Sequence, residues 1–295
     1  MKGIAWNLVR LARPAHWMKN GFVLAALVFG GRAGDADAWT AVAWAAGAFC
    51  LASSAVYAFN DLVDRRQDAR HPLKRDRPVA SGAVSPAAAT VFSLVLAAGG
   101  MGLSILAGPR VPWVVGGYLV LMAAYTLGLK RVAILDVLLI ACGFLLRAEA
   151  GGMAAGVEVS RWLLLCTLTL SLFLGFAKRE AERAALGDRA TETRAVAWSV
   201  YSRRGLEQMM TISAGLAIVT YMLYTVSPPP PGAPGEGRRW LFVTVLPVVY
   251  GVFRFYSLTL AGRVTGPVDT FRRDPPFVVA ILVWLGMVAA VLYGF

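Results

Sequence analysis

An all-α membrane bundle of about nine transmembrane helices, with its N-terminus in the cytoplasm, is the fold this sequence predicts. Three observations carry the prediction. The 295-residue chain is 58% hydrophobic and only 16% charged, whereas soluble domains carry about a quarter charged residues. Its apolar residues come in separate blocks, each about long enough to cross a hydrocarbon core of roughly 30 Å. The short alternating segments of a β-barrel are absent, so helices must satisfy the backbone in lipid.

The blocks fall at 17–31, 39–59, 86–108, 112–129, 133–151, 161–177, 209–227, 240–260 and 277–294, and 1–295 reads as a single integral-membrane domain. Ahead of the first block, 5–11 has the pattern of an amphipathic helix lying on the membrane surface. No cleavable signal pattern precedes it. With the N-terminus inside, 22 of the 29 Lys and Arg lie on the inner side and five in outer loops. Cytoplasmic loops show that bias, so the chain is expected to be a multi-pass protein of the plasma membrane. The net charge of +12 follows from the same bias and from anionic substrates, and no nucleic acid is predicted as a partner. The loops after the second and sixth spans are long, carry both signs of charge and face the cytoplasm. An active site on that face would look like this. The proline-rich stretch at 228–235 reads as a stiff outer linker without chemistry. Cys50, Cys142 and Cys166 lack metal-ligand spacing and read as packing residues.

The densest chemistry follows the second span. Asp61, Asp64 and Asp68 stand at i, i+3 and i+7, which places three carboxylates on one helix face. Like charges that close repel unless something cationic lies between them. Oxygen ligands favour a hard cation, and magnesium takes a few carboxylates together with substrate phosphate oxygens. The plainer reading, a solvated charge-laced helix end, explains the alternating signs but not three acids on one face capping a span. Behind them, 71–78 carries His71, Lys74 and Arg77 between two prolines that stop the helix. Lys74 and Arg77 are phosphate candidates, while Asp76, off the register, reads as structural and His71 as more structural than catalytic.

Further candidates lie elsewhere. Asp136, Arg147 and Glu149 are ionisable residues within the fifth span, where charges face a partner or a polar cavity. Asp136 is expected near Lys130. For Arg147 and Glu149 an interhelical ion pair or snorkelling is the plainer account. After the sixth span, Lys178, Arg179 and Glu182 could form the second half of a cation and phosphate site facing the Asp61 helix. Tyr201 and Glu207 are weaker candidates. Lys19, near the first span beside Arg13, His16 and Trp17, is a candidate for substrate phosphate.

With these residues assembled, the chain resembles the UbiA-type membrane prenyltransferase superfamily. Asn60-Asp61-x-x-Asp64-x-x-x-Asp68 at the end of the second span is similar to its first Asp-rich motif. Arg13-Pro14-x-x-Trp17-x-Lys19-Asn20 and His71-Pro72-x-Lys74-x-x-Arg77-Pro78 resemble the decaprenyl-phosphate phosphoribosyltransferase branch. So do Tyr125-Thr126-x-x-Leu129-Lys130, Asp136-Val137, Gly143-Phe144-x-Leu146-Arg147-Ala148, Lys178-Arg179-x-x-Glu182 and Arg273-Asp274-Pro275. The resemblance implies transfer of 5-phosphoribose from phosphoribosyl pyrophosphate to a polyprenyl phosphate, decaprenyl in that branch, on the way to cell-wall arabinan. It implies magnesium on Asp61, Asp64 and Asp68, the catalytic carboxylates, with Asn60 assisting. It implies Lys19, Lys74, Arg77, Tyr125, Lys130, Lys178, Arg179 and Glu182 around the substrate phosphates. A homo-oligomer is compatible with the sequence. One departure is that the superfamily's second Asp-rich motif is replaced by Lys178-Arg179-Glu180-Ala181-Glu182, and Glu207 stands where Asp is expected. That favours a sugar-phosphate donor over ordinary prenyl diphosphate chemistry. The rivals are a prenyltransferase with an aromatic acceptor and a transporter of an anionic solute. The second would need midplane charges and repeated halves, and most charges here lie at the inner ends.

Overall fold

The structure is a computed structural model that describes residues 3–71, 74–186, 201–228 and 237–294. The expected linker at 228–235 lies outside these residues apart from Pro228, as does Pro72. Among the described residues every regular element is helical. In chain order they are α1 Ile4–Ala12, a 3₁₀ segment Pro14–Gly21, α2 Phe22–Phe29, α3 Ala36–Arg70, α4 Pro86–Ala107, α5 Val111–Leu127, a 3₁₀ turn Leu129–Arg131, α6 Leu135–Ala155, α7 Arg161–Leu186, α8 Arg203–Val226, a 3₁₀ segment Gly237–Thr244, α9 Val245–Leu260, α10 Pro267–Arg273 and α11 Pro275–Tyr293.

Each expected span has a counterpart, with informative differences at the ends. Seven helices are long and apolar enough to cross a membrane, and Val111–Leu127 is a shorter apolar helix. The first block is broken. Its 3₁₀ half at the interface follows Pro14 and is pinned to α3 by Trp17 Nε1 donating to Ser54 Oγ at 3.0 Å. The other half is the eight-residue α2. The short helix α10, between the last two spans, was not anticipated; seven residues give too little periodicity to read.

Helix α3 has 35 residues, roughly 52 Å at 1.5 Å per residue. That exceeds the hydrocarbon thickness by about 20 Å, so its last turns, from Asn60 on, project beyond the apolar layer as one continuous helix. Asp35 starts it, its Oδ1 accepting from the amides of Asp37 and Ala38, the usual N-cap arrangement. Small residues let neighbours approach: Gly100 of α4 faces the backbone of Ala48 and Ala52, and Ser93 Oγ donates to the Ala55 carbonyl at 2.9 Å. Helix α7 packs on α8, and α2 packs on α6. Outward positions are apolar and bare, as lipid-facing positions are; Val120 is 71% and Leu246 76% exposed.

The α2–α6 contact is the closest of these. A Cβ built on Gly151 would collide with the Val23 carbonyl. We expect Gly151→Val to cost about 1–3 kcal/mol of stability by overpacking. Gly102→Ala, where a Cβ meets nothing within 4 Å, should leave the thermal midpoint of the detergent-solubilised protein level or slightly raised. Equal midpoints for Gly151→Val and wild type would refute the close packing.

Candidate active site

The projecting end of α3 carries the three carboxylates, and each is met by a base from another part of the chain. Arg77 Nη1 donates to Asp61 Oδ1 at 3.0 Å and to Asp68 Oδ2 at 2.7 Å. One guanidinium thus bridges two acids seven residues apart, which confirms that they share a face. Arg13 Nη2 donates to the same Asp61 Oδ1 at 2.6 Å. Lys130, in the turn between α5 and α6, bonds both oxygens of Asp64 at 2.6 Å and Asn60 Oδ1 at 3.1 Å. Asp61 and Asp68 are buried, at 1% and 4% exposure. Burial pushes the Asp68 carboxyl above the usual carboxylate range, with Arg77 and Lys74 pulling it back and the charges of Asp64 and Asp61 adding to the rise.

Arg13 was absent from the predicted site, though it opens the Arg13-Pro14 motif. It adopts a left-handed backbone, φ 54°, as C-cap of α1 and at the start of the 3₁₀ segment. A non-glycine residue there is uncommon, and this turn aims Arg13 at Asp61 and, 5.1 Å from its ring centroid, at Tyr57.

The Lys178-Arg179-x-x-Glu182 element forms a second cluster. Arg179, 3% exposed, donates to Asp136 Oδ2 at 2.7 Å, to Glu182 Oε2 at 2.6 Å and to the Tyr125 hydroxyl at 3.4 Å. Tyr201 donates to Asp136 Oδ1 at 2.6 Å and accepts from the Ile134 amide at 2.6 Å. Burial, then its bond to Asp136, raises the Tyr201 phenol well above its ordinary pKa. Asp136 therefore pairs with Arg179 and Tyr201 rather than with Lys130, which reaches across to α3. Lys178 lies 3.9 Å from Glu182, the expected shared face.

His16, at the interface before the first apolar span, lies in the field of bases from both clusters. Burial, then the charges of Lys19, Arg13, Lys178 and Arg77, push its imidazole pKa down to about 3. Bases from α7, from the loop after α3 and from the chain's start thus act on one ring, which stands 5.4 Å from Tyr57. Its Nδ1 is buried with no hydrogen-bond partner among the described residues.

Other candidates fall outside this constellation. Of the two accounts expected for Arg147, an interhelical ion pair or snorkelling, the ion pair is not found among the described residues; its hydrogen-bond partners are neutral. Glu207 pairs with Arg203 on the α8 surface. Asp274 pairs with Arg254 at 2.8 Å, and Arg273 with Asp269 at 2.6 Å; both pairs involve the end of the bundle around α10.

The model of the UbiA prenyltransferase family matches residues 21–273. The chain belongs to that family. It is 32% identical to a decaprenyl-phosphate phosphoribosyltransferase of Mycolicibacterium smegmatis, over 99% of this chain and 94% of the relative. It is 31% identical to the protein of that name from Corynebacterium glutamicum, over 99% of this chain and 88% of the relative. The fold matches a UbiA homolog from Archaeoglobus fulgidus, solved with GPP and Mg2+, with TM-score 0.72 and 16% identity over 97% of this chain and 99% of that one.

Family membership raises the question of a divalent cation. Among the described residues no three His, Cys, Asp or Glu side chains form a cage that could hold a metal ion, because bases stand between the carboxylates. One acceptor nevertheless stands out: Asp61 Oδ2 is buried without a hydrogen-bond partner among the described residues, and buried carboxylate oxygens are normally satisfied. An all-oxygen set with a vacant lone pair and bases alongside fits magnesium arriving with phosphate oxygens rather than magnesium held by protein alone.

Removing Arg77 leaves Asp61 and Asp68 facing each other. Arg77→Leu should lower stability by about 2 kcal/mol, below the roughly 3–5 kcal/mol for breaking a fully buried pair because Arg77 is partly exposed. The loss should be largely recovered by millimolar Mg2+, read as the thermal midpoint in detergent. A midpoint equal to wild type, or one indifferent to Mg2+, would count against this arrangement.

Proposed function

We propose that the protein transfers 5-phosphoribose from phosphoribosyl pyrophosphate to a polyprenyl phosphate, releasing pyrophosphate, at the face of the membrane where α3 projects. The observation that carries the reading is the pairing of three carboxylates with Arg13, Arg77 and Lys130, beside Lys74, Lys19 and Lys178. That is more cationic capacity than one diphosphate needs. It suits a donor with phosphate at both ends. The near full-length likeness to two decaprenyl-phosphate phosphoribosyltransferases supports it.

In the reaction the C1–O bond to pyrophosphate breaks, its electron pair leaving with pyrophosphate, and a lipid phosphate oxygen forms a new bond to C1. Asn60, Asp61, Asp64 and Asp68 would hold magnesium, which when bound neutralises charge on the departing pyrophosphate. Arg13, Arg77 and Lys130 can exchange carboxylate partners for phosphate oxygens without moving far, because they already lie at hydrogen-bond distance of the acids. Such preorganised donors stabilise charge as it develops. Arg179, fixed by Asp136, Glu182 and Tyr125, presents the remaining face of the site from α7. Tyr201 locks Asp136 in place. The nucleophile is anionic at neutral pH, so no general base is required. The site's imidazole, His16, stays neutral and serves as a hydrogen-bonding group.

We place the carboxylate end on the cytoplasmic side, with the N-terminus inside, because most Lys and Arg lie at that end. The exposed face of α1, where Ile4 is 62% and Trp6 49% exposed, then rests on the lipid surface from which the acceptor enters.

Membranes carrying the protein, given labelled phosphoribosyl pyrophosphate, Mg2+ and polyprenyl phosphate, should form a labelled lipid that EDTA abolishes. Asp64→Ala should reduce the rate on the order of 100-fold or more. Labelling from a prenyl diphosphate and an aromatic acceptor, with none from phosphoribosyl pyrophosphate, would overturn the assignment.

A further inference from the structure

Two cations on the inward side of the carboxylates belong to none of the ion pairs described. Arg147 of α6 is 5% exposed. Its Nε donates to Asn20 Oδ1 at 2.8 Å, Nη1 to the Gly143 carbonyl at 2.7 Å and Nη2 to the Tyr118 hydroxyl at 3.0 Å. Its guanidinium carbon lies 4.6 Å from the Tyr118 ring centroid and 5.3 Å from those of Phe49 and Phe144. All these partners are neutral. Lys19, in the 3₁₀ segment, makes no hydrogen bond or ion pair among the described residues, and it stands in the field of Arg147 and of Arg13. Tyr57 stands in the field of the same two arginines. A line of positive charge therefore runs inward from Asp61 through Arg13 and Lys19 to Arg147, and only its first member has a carboxylate.

An ionisable residue within a membrane span is costly and is retained for a partner or a function. An aromatic box accounts for Arg147 as interhelical packing. It does not account for Lys19, which holds nothing together and adds a like charge beside Arg147. Two neighbouring cations without an acid are stable as a pair when an anion joins them. The depth fits as well. Arg147 is eleven residues beyond Asp136 on α6, but its bond to the Gly143 carbonyl turns the head back. The guanidinium then lies near the level of Gly143, seven residues or roughly 10 Å beyond Asp136. A phosphorylated pentose with its pyrophosphate at Asp61 can reach that level.

We propose that Lys19 and Arg147, the latter fixed by Asn20 and Tyr118, form a phosphomonoester subsite, and that it takes the 5-phosphate of the phosphoribosyl donor. This rests on the reading above for the identity of the donor. It assigns Arg147 a ligand and divides the site in two: carboxylates with Arg13, Arg77 and Lys130 for the pyrophosphate, Lys19 and Arg147 for the far end. The phosphate of the lipid acceptor has the same chemistry, so the test separates the two.

The full chain in detergent is titrated calorimetrically with ribose 5-phosphate without Mg2+, and separately with pyrophosphate plus Mg2+. Wild type should bind both. Arg147→Met and Lys19→Met should each weaken ribose 5-phosphate binding by about 10- to 100-fold, the range for a lost charge-assisted hydrogen bond. Pyrophosphate binding should be nearly unchanged. In turnover the KM for the donor should rise by a similar factor and that for polyprenyl phosphate should not. Lys19→Met removes no bond among the described residues, so it keeps the test valid if Arg147→Met fails to fold. Wild-type ribose 5-phosphate binding in a folded Lys19→Met protein overturns the proposal, as does a rise in the acceptor KM alone. If both variants lose ribose 5-phosphate but the wild type transfers nothing from phosphoribosyl pyrophosphate, the subsite stands and the reaction assignment fails.

Discussion

Arg77 holding Asp61 and Asp68 together is the interaction on which the rest of the structure depends. Two carboxylates nearly superposed along one helix face, and both buried, repel each other unless a cation joins them. The chain supplies it from the loop that follows their own helix. Arg13 adds a second base to Asp61, and Lys130 takes Asp64. Each of these contacts ties α3 to a different part of the bundle, so charge compensation also positions the elements. Under the proposed function, protein bases occupy the places that substrate and metal would take.

That arrangement requires α3 to extend beyond the apolar layer without breaking. In lipid the carboxylates could not be ionised, and on a loop they would lose their common face. The continuous helix, capped by Asp35 at its far end and packed against α4 through small residues, satisfies both conditions. The broken first span serves the same end. A straight helix there would carry Arg13 and Lys19 along one axis, whereas the left-handed turn at Arg13 and the 3₁₀ segment send Arg13 to Asp61 and leave Lys19 further in.

The all-helical membrane bundle, the positions of most helices and the three-carboxylate face were legible from the sequence, because apolar run length and helical register are local properties; the count of nine was not, since among the described residues seven helices are long and apolar enough to span and Val111–Leu127 is shorter. So was the grouping of Lys178, Arg179 and Glu182 on one turn. What was not legible depended on contacts between distant segments. Lys130 was expected beside Asp136, its sequence neighbour, yet it serves Asp64, and Asp136 belongs to Arg179 and Tyr201. Tyr201 looked like a minor residue at the start of a span because its role lies in a hydrogen bond to a residue 65 positions away. Arg13 does not stand out in the sequence, because a base before a first span is ordinarily a membrane anchor; its left-handed turn distinguishes it. For Arg147 an interhelical ion pair or snorkelling was the plain expectation, and a sequence does not reveal that the hydrogen-bond partners it meets are neutral.

Under the proposed function, the carboxylates become a metal site only when phosphate arrives to take over their bases. The most direct measurement is Mg2+ binding to the purified full chain by calorimetry, with and without pyrophosphate, corrected for the pairing of Mg2+ and pyrophosphate in buffer. The account predicts weak binding of Mg2+ alone and at least about tenfold tighter binding with pyrophosphate, a coupling of roughly 1.4 kcal/mol or more. Tight binding of Mg2+ to the protein alone, unchanged by pyrophosphate, would contradict it.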